Sequence, residues 1–277
     1  MSPMSPSPPV EQLGTAVRSS PLPDDADTDK HHRGTVLVIG GSAVTPGAVL
    51  LAGVAALRVG AGRLQIVTEP TTALHAAVSI PEALVAGHDD PELERLLGEA
   101  DSVVVGPGLR DDATATAMVA VCLAHVPPAV PIVVDALALY AWADQAPCDR
   151  DHVVLTPNRQ ELAALAADDG PESDRAVAAR LGATVVSFGR VALADGRVFV
   201  DDQRVWGLGT SGSGDVLAGA IGGIAARCGN GRQAAAWGAF VHRAAAERVS
   251  GQIAPSGYLA RELADALAPA LWAVAST

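Results

Sequence analysis

Aromatic residues are scarce in this chain: Phe, Tyr and Trp together make up 3% of its 277 residues. Apolar residues still reach 49%, so alanine and valine carry the packing. Side chains that small imply helices and sheet in close contact and argue against a roomy ligand barrel. Basic charge is also short, with 19 Lys and Arg against 31 Asp and Glu and a formal charge of −12. A nucleic-acid or membrane-surface partner needs a basic footprint, and neither is expected. A phosphorylated small molecule stays open, because backbone amides can hold an anion without net positive charge. Cys122, Cys148 and Cys228 form no Cys-x-x-Cys pair and read as buried thiols of a reducing compartment. The seven histidines show no metal-ligand spacing, so no metal-binding residues are assigned. No uninterrupted apolar run is long enough to span a bilayer, and the first residues lack the apolar core of a secretory signal. A cytoplasmic location is the expectation.

What is present is an alternation of short β-branched runs with alanine-rich helical ones. Residues 1–30 are rich in Pro, Ser and Asp and show no apolar period; they are expected to be a disordered tail, leaving 31–277 as one domain. Strands are predicted at Val36–Ile39, Leu64–Val67, Ser102–Val105, Ile132–Val134, Val153–Leu155, Thr184–Ser187 and Arg197–Val200. Asp195-Gly196 marks a hairpin turn between the last two. Helices are predicted over Pro46–Arg58, Pro91–Leu97, Ala113–Ala124, Arg159–Ala166, Asp215–Arg227, Arg232–Val249 and Tyr258–Leu271. Continuously apolar strands alternating with helices define an α/β fold with a mainly parallel sheet covered on both faces.

The unusual residues fall at strand ends. Gly40-Gly41-Ser42, Gly106-Pro107-Gly108, Asp135 and Thr156-Pro157-Asn158 each directly follow a predicted strand. In a parallel sheet these positions share the carboxyl edge, where ligands bind. The most concentrated signal is Gly209-Thr210-Ser211-Gly212-Ser213-Gly214-Asp215, which opens a buried helix. Glycine amides turned to one point, beside the positive end of a helix, make an anion cradle. A carboxylate at its lip is placed to take a proton from a hydroxyl. The segment carries no Gly-Lys-Ser/Thr ending and no Gly-x-Gly-x-x-Gly spacing, so it is neither a Walker A loop nor a dinucleotide fingerprint.

Taken in order, Gly40-Gly41-Ser42, Pro46-Gly47-Ala48, Ala55 to Gly62, Pro81-Glu82, Gly106 to Leu109, Asp135-Ala136, Leu155-Thr156-Pro157 with Glu161, and Gly212 to Gly219 resemble the ADP-dependent NAD(P)H-hydrate dehydratases. The resemblance runs from about Arg33 to the C-terminus and implies a ribokinase-like fold. It implies that hydrated NADH or NADPH is restored with ADP or ATP, carried with Mg2+. The ring hydroxyl is deprotonated and phosphorylated, and phosphate is then eliminated. Asp215 is implied as the base, Ala48, Gly108, Asn158 and Asp215 as the substrate wall, and Gly189, Arg190, Gly212, Ser213 and Gly214 as the nucleotide site. A homo-oligomer is expected. The chain departs from the family's pattern at Asn158, where histidine is usual, at Leu137, where a second aspartate is usual, and at Phe188, where lysine is usual. If 186–190 is extended, Phe188 and Arg190 share a face and Arg190 substitutes for the lysine. Two other readings remain open at this point: a ribokinase-like kinase of a small hydroxylated metabolite, and a nucleotide-binding protein without catalysis.

Overall fold

The computed structural model of the chain describes residues 10–24, 29–144, 152–166 and 173–275. The chain begins with strand β1 (Val10–Gln12) and helix α1 (Leu13–Ser19). It then alternates β2 (Thr35–Ile39), α2 (Pro46–Arg58), β3 (Arg63–Thr68), α3 (Pro70–Ser79), β4 (Ala83–Gly87), α4 (Leu93–Glu99), β5 (Ser102–Val105) and α5 (Asp112–His125). There follow β6 (Ile132–Val134), α6 (Ala138–Ala143), β7 (Val153–Leu155), α7 (Arg159–Ala166), α8 (Ser173–Leu181), β8 (Thr184–Ser187), β9 (Arg190–Ala192) and β10 (Val198–Val200). Three helices close the fold: α9 (Ser213–Cys228), α10 (Gly231–Gln252) and α11 (Ala260–Ala275). The strands form one sheet in the order β1-β10-β9-β8-β7-β6-β5-β2-β3-β4, antiparallel among the described residues only where β9 meets β8 and β10.

The apolar strands are apolar throughout because both of their faces are covered. Val36 and Val38 of β2, Val104 of β5, Val133 of β6 and Val154 of β7 enter a core shared with α2, α9, α10 and α11. Their neighbours Leu37, Ile39, Val103, Val105, Ile132, Val134, Val153 and Leu155 enter a second core with α4 to α8. A period of two thus divides each strand between two helical layers. The expected mainly parallel α/β sheet is what forms, and β7, β6, β5 and β2 lie side by side. The loops that follow these four strands therefore do share one edge.

Three expectations are corrected. Residues 10–24 are not a disordered tail: β1 pairs in parallel with β10, and Leu13 and Val17 are 1% exposed beneath α10. Trp237 Nε1 also donates to the Ser20 carbonyl at 2.7 Å. The folded body therefore starts before residue 31. Two apolar residues four apart are too few to show a period, and a three-residue edge strand takes its order from its partner. Asp195-Gly196 does turn the chain, but between β9 and β10, with Gly196 donating to Leu193 at 2.9 Å. Strand β8 is joined to β9 by Phe188-Gly189, with φ of 49° and 75°. Positive φ at both central residues is the primed turn that suits a two-residue hairpin. Residues 186–190 therefore do not run extended, which removes the shared face assumed for Phe188 and Arg190. Of the cysteines, Cys122 is buried and Cys228 half-buried, while Cys148 lies outside the described residues.

Candidate active site

The close approach of α9 to α2 sets the position of the site. A Cβ on Gly219 would stand 2.0 Å from the Ala52 carbonyl oxygen, and one on Gly223 2.4 Å from that of Ala56. Only glycine permits that approach. Since 219 meets 52 and 223 meets 56, the two helices run in parallel and in register. One turn earlier the same register brings Asp215 to the level of Ala48. Ala48 in turn abuts Gly108, where a Cβ would come within 2.8 Å of the alanine methyl. Helices α2 and α9 both point their N-termini, and hence their partial positive charge, at this edge.

Asp135 completes the corner at the end of β6. It is 6% exposed and accepts from Thr156 Oγ1 at 2.8 Å. Burial, and then the neighbouring carboxylates of Asp215 and Glu161, push it up to about 7 against the opposing pull of Thr156. Burial alone holds Asp215 at about 6. Two carboxyls poised near neutrality at one sheet edge suit proton transfer better than structural support. Beside them Asn158 and Glu161 form a capping box at the start of α7. Asn158 Oδ1 accepts from the amides of Gln160 and Glu161 at 2.9 and 3.0 Å, and Glu161 Oε2 accepts from the Asn158 amide at 2.8 Å. The Asn158 side-chain carbonyl is thus engaged, while its NH2 group has no hydrogen-bond partner among the described residues.

The glycine cradle is held from behind. Gly212 precedes α9 in the left-handed region at φ 88°, and Ser213 Oγ donates to the Leu208 carbonyl at 2.7 Å. The buried His242 of α10 lies 3.0 Å through Nε2 from the Ser213 carbonyl, so that nitrogen carries the proton. Burial lowers His242 to about 4, which keeps it a neutral donor. The first-turn amides of Gly214 and Asp215 have no intrahelical acceptor, the arrangement that lets a helix N-terminus receive an anion. Nothing in the glycine motif announced His242. Its signal was a polar residue on the stripe of Gly238, Val241, Ala245 and Val249 that α10 buries.

The sheet brings together Ala48, Gly108, Asp215 and the cradle Gly212-Ser213-Gly214, with Asn158 one strand along at the end of β7. Gly189 lies in the turn that follows β8, two strands from Asp135, and Arg190 opens β9, one strand further. Arg190 is engaged by the buried Asp174 of α8, with Nε to Oδ2 at 2.6 Å and Nη2 to Oδ1 at 3.3 Å. The cation carried over the hairpin is instead Arg159, whose Cζ lies 5.1 Å from the centre of the Phe188 ring. Pro81-Glu82 lies just before β4, at the opposite edge of the sheet from the site. Among the described residues no cluster of three or more His, Cys, Asp or Glu could hold a metal.

A mainly parallel α/β sheet covered by helices on both faces is the ribokinase-like fold. A ribokinase-like protein of Enterococcus faecalis superposes with a TM-score of 0.82 at 22% identity, covering 100% of both chains. The ADP/ATP-dependent NAD(P)H-hydrate dehydratase of Bacillus subtilis, co-crystallised with ATP and Mg2+, superposes with a TM-score of 0.81 at 28% identity over 95% of this chain and 98% of that one. The NAD(P)H-hydrate dehydratase family model matches residues 36–269. The ADP-dependent (S)-NAD(P)H-hydrate dehydratase of Xanthomonas campestris is 41% identical over 90% of this chain and 91% of its own length. That of Lactiplantibacillus plantarum is 34% identical over 80% and 83%. The chain belongs to the NAD(P)H-hydrate dehydratase family.

Proposed function

We propose that this chain dehydrates the hydrates of NADH and NADPH at the expense of ADP or ATP, and that Asp215 is its base. The observation that carries the reading is the half-buried Asp215 carboxyl, held at about 6 in the first turn of α9 and level with the Ala48–Gly108 wall. At neutral pH it is largely ionised and can take the proton of the ring hydroxyl. The hydroxyl oxygen then bonds to the terminal phosphorus of the nucleotide, whose shortened remainder leaves. Loss of phosphate from the ring carbon and of a ring proton restores the double bond. The free amides of Gly214 and Asp215 at the head of α9 meet the charge that builds on the phosphoryl oxygens, while the Ser213 amide, bound to the Thr210 carbonyl at 3.2 Å, holds the cradle's shape.

The nucleotide fits the residues available. The cradle supplies amides, and Gly189 leaves one of the two tip positions of the β8–β9 hairpin without a side chain. The sequence contains a single lysine, Lys30, so a mobile phosphate-facing cation has to be an arginine. In this reading Arg159, steadied on Phe188, takes that part, while Arg190 fixes β9 to α8. Mg2+, when bound, neutralises phosphate charge. Asn158 offers its amide group to the nicotinamide end. The chain works in the cytoplasm as a homo-oligomer; Leu74 and Val78 on one face of α3, 74% and 76% exposed, give subunits an apolar surface to share. Among the described residues no helix is long and apolar enough to cross a membrane.

The test is recovery of reduced-nicotinamide absorbance when the chain is added to NADPH hydrate with ADP, with ATP, or with neither. Recovery that needs a nucleotide supports the reading, and none with either nucleotide sinks it.

A further inference from the structure

A cavity opens at the carboxyl ends of β2, β3, β4 and β5, with a volume of about 430 Å³. Its floor is apolar, built by Val67, Leu109 and Met118 of the second core, and its rim carries His88, Arg110 and Thr114. Two acids also line it, and both are already engaged. Glu69 accepts the Ala43 amide at 2.6 Å and the Thr71 hydroxyl at 3.1 Å. Asp111 caps α5 by accepting the amide and the hydroxyl of Thr114 at 2.7 and 2.6 Å. Arg110 is exposed and has no ion-pair partner among the described residues. The apolar floor suits a flat base, and Arg110, standing on the rim beside the two hydrogen-bonded carboxylates, offers a forked guanidinium to a phosphate on the sugar joined to that base.

The cavity is not remote from the Asp215 corner, because both share the loop after β2. Gly40, Gly41 and Ser42 line the cavity. The Gly41 amide donates to the Pro107 carbonyl at 2.7 Å, and Gly41 Cα lies 3.2 Å from where a Cβ of Gly108 would be. Ser42 Oγ is 2.7 Å from Thr45 Oγ1, which donates to the Gly108 carbonyl at 2.8 Å. A ligand whose ring rests against Gly108 and whose chain passes Gly41 arrives in this cavity. We infer that the cavity receives the phosphorylated adenosine half of the hydrated dinucleotide, with Arg110 holding a phosphate. The inference rests on the dehydratase reading and adds where the far end of the substrate lies.

The experiment compares wild type with Arg110→Gln on three hydrates: those of NADPH, NADH and reduced nicotinamide mononucleotide. Loss of one charge-assisted contact should raise KM for NADPH hydrate about tenfold or more with kcat unchanged. The mononucleotide hydrate, which lacks the adenosine half, should show no change. A rise confined to NADPH hydrate assigns the 2′-phosphate to Arg110, and an equal rise for NADH hydrate assigns the diphosphate; either supports the inference. No rise for any hydrate, or an equal rise for the mononucleotide, overturns it. Calorimetry with adenosine 2′,5′-bisphosphate needs no turnover, and so separates this inference from the dehydratase reading. Binding weakened at least tenfold by Arg110→Gln supports the site, whereas no binding or equal binding overturns it. Bisphosphate inhibition that is not competitive with the hydrate would mean a separate nucleotide site and would also overturn it.

Discussion

Replacing Asp215 with asparagine should give a protein that is more stable and inactive. Burial holds this carboxyl at about 6 against an ordinary 3.8, so ionising it in the folded chain costs roughly 3 kcal/mol at 1.36 kcal/mol per tenfold. The group is only partly buried, and as an acid in the first turn of α9 it regains roughly 0.3–1 kcal/mol from the helix N-terminus. A net gain of about 1–2 kcal/mol on substitution is the working figure, a rise of roughly 2–6 °C in melting midpoint for a domain of this size. The sign follows from proton binding. The folded chain holds this proton more tightly than the unfolded one, so its stability falls as pH rises between 3.8 and about 6. The asparagine variant escapes that loss, and its advantage should be full at about pH 8 and vanish below about pH 4. Turnover should fall on the order of a hundredfold or more with nucleotide affinity kept. Calorimetric melting of both proteins at the two pH values, beside the absorbance assay, reads all of this. Equal midpoints at the higher pH would refute the account of the carboxyl, and undiminished turnover would refute its role as base.

Three other outcomes follow from the packing. Leu13→Ala should cost about 2–5 kcal/mol, because it empties a site beneath α10 that the chain before residue 24 fills; chemical denaturation measures it, and an unchanged midpoint would mean that segment does not hold to the body. Arg159→Ala should weaken ADP binding by about 1.5–3 kcal/mol, while Arg190→Ala should leave ADP affinity unchanged and lower stability by leaving the buried Asp174 unpaired. Titration calorimetry separates the two, and the reverse pattern would return the phosphate contact to Arg190. Gly219→Val should destabilise by more than about 2 kcal/mol and depress turnover together, because the side chain would force α9 off α2 and Asp215 away from Ala48. A variant that melts like wild type would show that this contact does not set the site.

The amino-acid sequence determined the strands that lie in the middle of the sheet, because a segment buried on both faces must be apolar throughout and its order is written in that run. It determined that glycine, proline and aspartate would gather at the strand ends, and that Asp215 would open a helix from a glycine cradle. The same locality explains its failures. Strand β1 and helix α1 owe their order to β10 and α10, far along the chain, and two buried side chains left no period to read. The Phe188-Gly189 turn replaced an extended segment because β9 doubles back on β8, and that pairing took Arg190 to Asp174. Glycines 219 and 223 were visible as small residues in a helix, but that they face the Ala52 and Ala56 carbonyls, and so bring Asp215 level with Ala48, is a distance between two helices. The raised carboxyls of Asp135 and Asp215 belong to tertiary structure for the same reason: burial and proximity shift a proton's affinity, and neither exists until the sheet and both helical layers have closed around the edge.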